Sequence, residues 1–98
     1  MYHFKEKILS SLGTPLAQRT LISFANQSTL PLEDRRIAAD AFAQSVKRTG
    51  VMLKSGEIQL QYDRYNASEN EPKSTQEILA IILDAIEARR DQVSSKTN

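Results

Sequence analysis

PLEDRRIAADAFAQSVKRTG, residues 31–50, decides how the rest of this 98-residue chain is arranged. Within it Ile37, Ala38, Ala41, Phe42, Ser45 and Val46 fall three and four apart, the spacing that gathers side chains onto one stripe of a 3.6-residue helix. Alanines at 38, 39, 41 and 43 favour helix and let neighbouring backbones approach closely, while Phe42 supplies bulk. Pro31 suits a first-turn position. Glu33 and Asp34 sit where the positive end of the helix dipole favours acids, and Lys47 and Arg48 occupy the other end before Gly50. The stretch therefore predicts a central helix whose packing stripe and two ends agree.

Towards the amino terminus, Thr14-Pro15 is a helix start. The threonine hydroxyl can accept from an early backbone N–H, and proline at the first helical position loses no needed donor. The helix is expected to run to Asn26 with Leu16, Ala17, Leu21, Ile22, Phe24 and Ala25 inward, and Gln18, Arg19 and Ser23 outward. Asn26 to Thr29 form a polar link so short that this helix and the central one should pack antiparallel. Before them, residues 2–12 place Phe4, Ile8 and Leu12 at i, i+4 and i+8 and predict a short amphipathic helix ending at Gly13. His3, the only histidine, has no ligand or base partner in local spacing and is expected to be solvated.

Towards the carboxyl terminus, Val51-Met52-Leu53 is too short for a strand and predicts a buried connector. Ile58, Tyr62 and Tyr65 at i, i+4 and i+7 predict a helix over 56–66, and the polar, proline-containing run 67–73 predicts a surface loop. Ser74 and Glu77 match the capping box S-x-x-E at the head of a last helix. There Ile78, Leu79, Ile81, Ile82, Leu83, Ala85 and Ile86 cover more than half the circumference, so other helices or a partner must enclose it. Residues 1–90 are expected to form a single helical domain, and 91–98, without an apolar stripe, a frayed tail.

Composition narrows the function classes. Hydrophobic residues at 40% and charged residues at 26% are ordinary for a globular domain, and no cysteine is present to form a disulfide, a thiolate metal site or a thiol nucleophile. Residues 1–50 hold seven Lys/Arg against four Asp/Glu, and residues 51–98 hold six against eight. With an isoelectric point near 8.0, this lacks the strongly basic footprint of a dedicated nucleic-acid binder, so nucleic acid is disfavoured as a partner. Met1 is followed by Tyr-His-Phe-Lys without a long apolar run, which predicts neither a signal peptide nor a membrane span. A cytoplasmic protein, or a soluble piece of a larger one, is the expectation.

LGTPLAQRTLISFANQSTLPLEDRRIAADAF, residues 12–42, resembles a HEAT-type helical-repeat unit. Gly-Thr-Pro opens a first helix with Ala17, Leu21 and Phe24 inward, a short turn ends in Pro31, and the second helix carries Arg36, Ala38, Ala39 and Phe42 in the usual positions. The resemblance implies an antiparallel helix pair whose groove or concave face binds another macromolecule, without chemistry of its own. Stacked repeats normally need about three units. Residues 51–98 do not repeat the pattern, so the expected fold is all-α: a compact bundle of about five helices containing one HEAT-like pair, or the capping end of a longer array.

QYDRYN, residues 61–66, is the most distinctive local run. Its tyrosines can pack inward with their hydroxyls reaching polar partners. Alternatively, Tyr62, Arg64, Tyr65 and Asn66 can form a partner-binding surface, tyrosine and arginine being enriched at interface hot spots. The pairs Arg35-Arg36, Lys47-Arg48 and Arg89-Arg90 lie near acids and read as mixed-sign solvated faces or as docking points for an acidic partner. Residues 37–66 could also be a helix-turn-helix-like element, with Gln59, Gln61, Arg64 and Asn66 facing base edges, although Glu57 and Asp63 share that helix. Two sequons, at Asn26 and Asn66, read as turn chemistry. Phosphate-cradle, HExxH, CxxC and GxSxG patterns are absent from the sequence, so no catalytic residue, metal or cofactor is expected. The expected function is a non-catalytic interaction or scaffolding module that binds a protein or a second copy of itself, and the alternative is a DNA-binding regulator.

Overall fold

The computed structural model describes residues 13–97, with side chains described as far as Arg89. They form helices α1 (Pro15–Asn26), α2 (Leu32–Thr49), α3 (Ser55–Ala67) and α4 (Lys73–Thr97), with a 3₁₀ turn at Ser68–Asn70 between α3 and α4. There is no strand among the described residues. The all-α expectation holds and the bundle is compact, with four helices where about five were expected. The remaining one, over residues 2–12, lies outside the described residues together with His3.

Helix α2 is the hub, packing on α1 along one side and on α4 along another. Ala38, Ala39 and Phe42 are completely buried on it, and Ser45 and Val46 continue the same stripe. The alanines let α1 and α4 come close while Phe42 fills the space between Leu21, Ile82 and Ile86 in one core. Arg35, at the start of α2, donates from Nε to the Ala25 carbonyl at the end of α1 (2.8 Å), and Gln18, near the start of α1, meets Ser45 near the end of α2. These contacts make α1 and α2 antiparallel. Ile78, Leu79, Ile82, Leu83 and Ile86 of α4 are buried within this one chain, and Ile81 and Ala85 pack partly against the core.

The ends of the helices follow local chemistry. Thr14 Oγ1 accepts from the Ala17 N–H (3.1 Å), as expected of its cap position. Gly50 closes α2 with φ of +87°, a left-handed conformation in which a side chain would be strained, and its N–H returns to the Val46 carbonyl (2.7 Å). Pro31 lies one residue before the first turn of α2, its carbonyl accepting from Arg35 N–H.

Other positions depart from the sequence expectation. Leu16 is 70% exposed, whereas Gln18, expected outward, is fully buried. The inner face of α1 meets the backbone of the 50–54 connector at Gln18, and unpaired peptide groups there demand a polar side chain. Arg35 is buried against the Ala25 carbonyl instead of joining a solvated face, because the last carbonyls of α1 lack intrahelical donors. Lys73 already belongs to α4, so Ser74 lies inside the first turn and does not cap it. Nor is the 67–73 run wholly surface. Ser68 is fully buried, and its carbonyl accepts from Gln76 Nε2 and Glu71 N–H. The α4 backbone is helical to Thr97. DQVSSKT contains no proline or glycine to stop the helix.

Candidate functional site

Helix α3 is the least buried of the four. Gln61 is its only buried side chain, and its backbone approaches α4 but neither α1 nor α2. A groove of about 430 Å³ therefore opens between α1 and α3. Each wall is built from one helical repeat: Arg19, Ile22, Ser23 and Asn26 on α1, and Glu57, Leu60, Gln61 and Arg64 on α3, all spaced i, i+3, i+4, i+7. Leu53 of the connector also lines it. Arg19 Nε pairs with Glu57 Oε2 at 2.7 Å, and Asn26 Nδ2 donates to Gln61 Oε1 at 3.3 Å. Both sequences thus ascend the groove together, so α1 and α3 run parallel.

The connector is fixed from α1. The Gln18 amide donates to Ser45 Oγ (3.1 Å) and the Gly50 carbonyl (2.9 Å), and its oxygen accepts from Met52 N–H (2.9 Å). Gln18 therefore sets where Leu53 and the head of α3 lie. Glu57 in turn accepts from the Lys54 N–H at 2.8 Å, tying off that helix start.

That backbone N–H is the main reason the Glu57 carboxyl titrates below its ordinary value of 4.5. The Arg19 guanidinium adds to the effect, and desolvation partly opposes it. Because the folded value lies below the unfolded one, the contribution of this pair is complete above the unfolded value and is lost as pH falls through the lowered one. The Arg19–Glu57 bridge should therefore persist through mildly acidic pH. Carbon-detected NMR titration of the Glu57 carboxyl should give a midpoint below 4.5, and a midpoint at or above it would contradict the geometry.

The structure divides the four residues singled out in QYDRYN. Arg64 lies in the groove beside Gln61. Tyr62 is half-buried and Tyr65 is 39% exposed, on the face they share with Ile58, which packs against the core. Asn66 is exposed about 200° round the helix from Arg64. The groove also recruits Arg19, Glu57 and Leu60, which sequence reasoning did not select. One local signal was available: Leu60, 53% exposed, stands off the Ile58–Tyr62–Tyr65 stripe.

Among the described residues no three His, Cys, Asp or Glu side chains converge as a metal site, and no helix is long and apolar enough to cross a membrane. Compared with protein-family models, curated proteins and solved structures, the chain matches none.

Proposed function

We propose that this chain is a non-catalytic helical module that binds another protein through the α1–α3 groove. The observation that carries the proposal is Leu60, a large apolar side chain exposed in a groove lined by two guanidiniums. Exposed leucine flanked by arginine is the composition of an interface anchor and its polar rim. On this reading the HEAT-like pair α1–α2 is the scaffold, α3 supplies Leu60 and Arg64, and Tyr65 extends the contact surface at the rim. The alternative, DNA binding by a helix-turn-helix-like element at 37–66, ranks behind it. The two helices of such an element pack on each other, whereas α3 packs on α4.

The test compares wild type with Leu60→Asp. Leu60 is exposed, so the variant should keep its helical circular dichroism and melt within about 1 kcal/mol of wild type. Proteins captured from cell extract by wild type, or a self-associated species above 11.0 kDa in light scattering, should be lost with Leu60→Asp. Equal capture and equal mass for both proteins would refute the groove as the binding surface.

A further inference from the structure

Resting on that reading, we infer that the groove takes an amphipathic helix of a partner protein, one carrying an aliphatic side chain and a carboxylate one turn apart on the same face. Three observations lead there. First, packed helices sit about 8–10 Å apart axis to axis, and no pair of Cα atoms between α1 and α3 comes within 8 Å. The α1 and α3 backbones therefore stand apart, bridged by the Arg19–Glu57 and Asn26–Gln61 contacts, and the matching repeats of the two walls over two turns offer a face along which a helix can lie, the helix-in-groove mode of recognition.

Second, the middle of the groove is apolar. Leu60 is exposed there, with Ile22 and Leu53 also lining it. An aliphatic side chain entering the groove would cover Leu60.

Third, the charges are unbalanced along the groove. At one end Arg19 is matched by Glu57. At the other, Arg64 lies among the uncharged Asn26, Gln27 and Gln61, and the acid next to it in sequence, Asp63, accepts from Gln59 (3.1 Å). Arg64 has no ion pair among the described residues. A carboxylate arriving there would meet the Arg64 guanidinium beside the Gln61 amide. Leu60 and Arg64 are one helical turn apart, about 6 Å along the axis, and that offset fixes the spacing required of the partner.

The probes are fluorescein-labelled synthetic helical peptides bearing leucine and glutamate at i and i+4 on one face, and the same peptides with lysine in place of glutamate. Binding to the full chain is followed by anisotropy at low and moderate salt. The glutamate peptide should bind about tenfold more tightly than the lysine peptide, with the difference shrinking as salt rises. Arg64→Glu should reverse the preference, and Leu60→Asp should abolish binding of both. Equal binding of the two peptides, lost in Leu60→Asp, would overturn the acidic specificity while leaving the groove as a protein-binding site. Binding of neither would overturn the helical occupant, with the groove itself still judged by the capture comparison. A dimer of the free chain that Leu60→Asp dissolves would give the seam to a second copy and overturn the inference.

Discussion

Gln18→Leu should destabilise the fold by about 3 kcal/mol, although it replaces a buried polar side chain with an apolar one of similar size. Leucine fills much of the same space but leaves the Gly50 carbonyl and the Met52 N–H without their partner, and Ser45 Oγ loses a donor. Each buried group left unsatisfied costs about 1–3 kcal/mol, which outweighs the gain from burying two extra apolar atoms. For a domain of this size the melting temperature should fall by roughly 15 °C. Urea denaturation measures the difference directly. A loss below about 1 kcal/mol would mean that water or a shift of the connector replaces all three bonds.

Phe42→Asp should leave the chain unfolded at 25 °C. The ring is completely buried at the contact of α1, α2 and α4. Truncating such a side chain costs about 3–5 kcal/mol, and placing a carboxylate in the space adds a desolvation penalty of several more. Together these are comparable with the roughly 5–15 kcal/mol that holds a small domain folded, whose lower half is the range expected for a chain this short. Circular dichroism reports the outcome, and Phe42→Leu, folded but moderately weakened, distinguishes loss of packing from a general intolerance of substitution at the site. A helical, cooperatively melting Phe42→Asp protein would remove Phe42 from the core.

The helices were legible where their signals are local. Thr14-Pro15 begins α1, Gly50 ends α2, and the isoleucines and leucines of 78–86 place α4, because caps and stripes are properties of neighbouring residues. Gln18 was misjudged for the opposite reason. A glutamine in an amphipathic helix looks solvent-facing until the connector at 50–52 is brought beside it, and nothing near position 18 announces that encounter. Arg35 is a similar case, since its partner is the end of another helix. The groove was half legible. Arg64 was selected for its residue type, but the wall opposite it belongs to α1, and the parallel pairing of α1 with α3 is a tertiary fact.

The sparse burial of α3 also governs how the molecule breathes. With Gln61 its only buried side chain and Ile58 only partly packed on the core, the helix can open while Leu21, Phe42, Ile82 and Ile86 stay packed around α2, so its opening requires less free energy than global unfolding. The connector end of that motion is pinned by Gln18, and the far end runs into the 3₁₀ turn where buried Ser68 is held by Gln76, so α3 is tethered at both ends. The width of the seam is then an equilibrium property of the free protein, set by a few side-chain bonds together with the packing of Ile58 on the core and of α3 on α4.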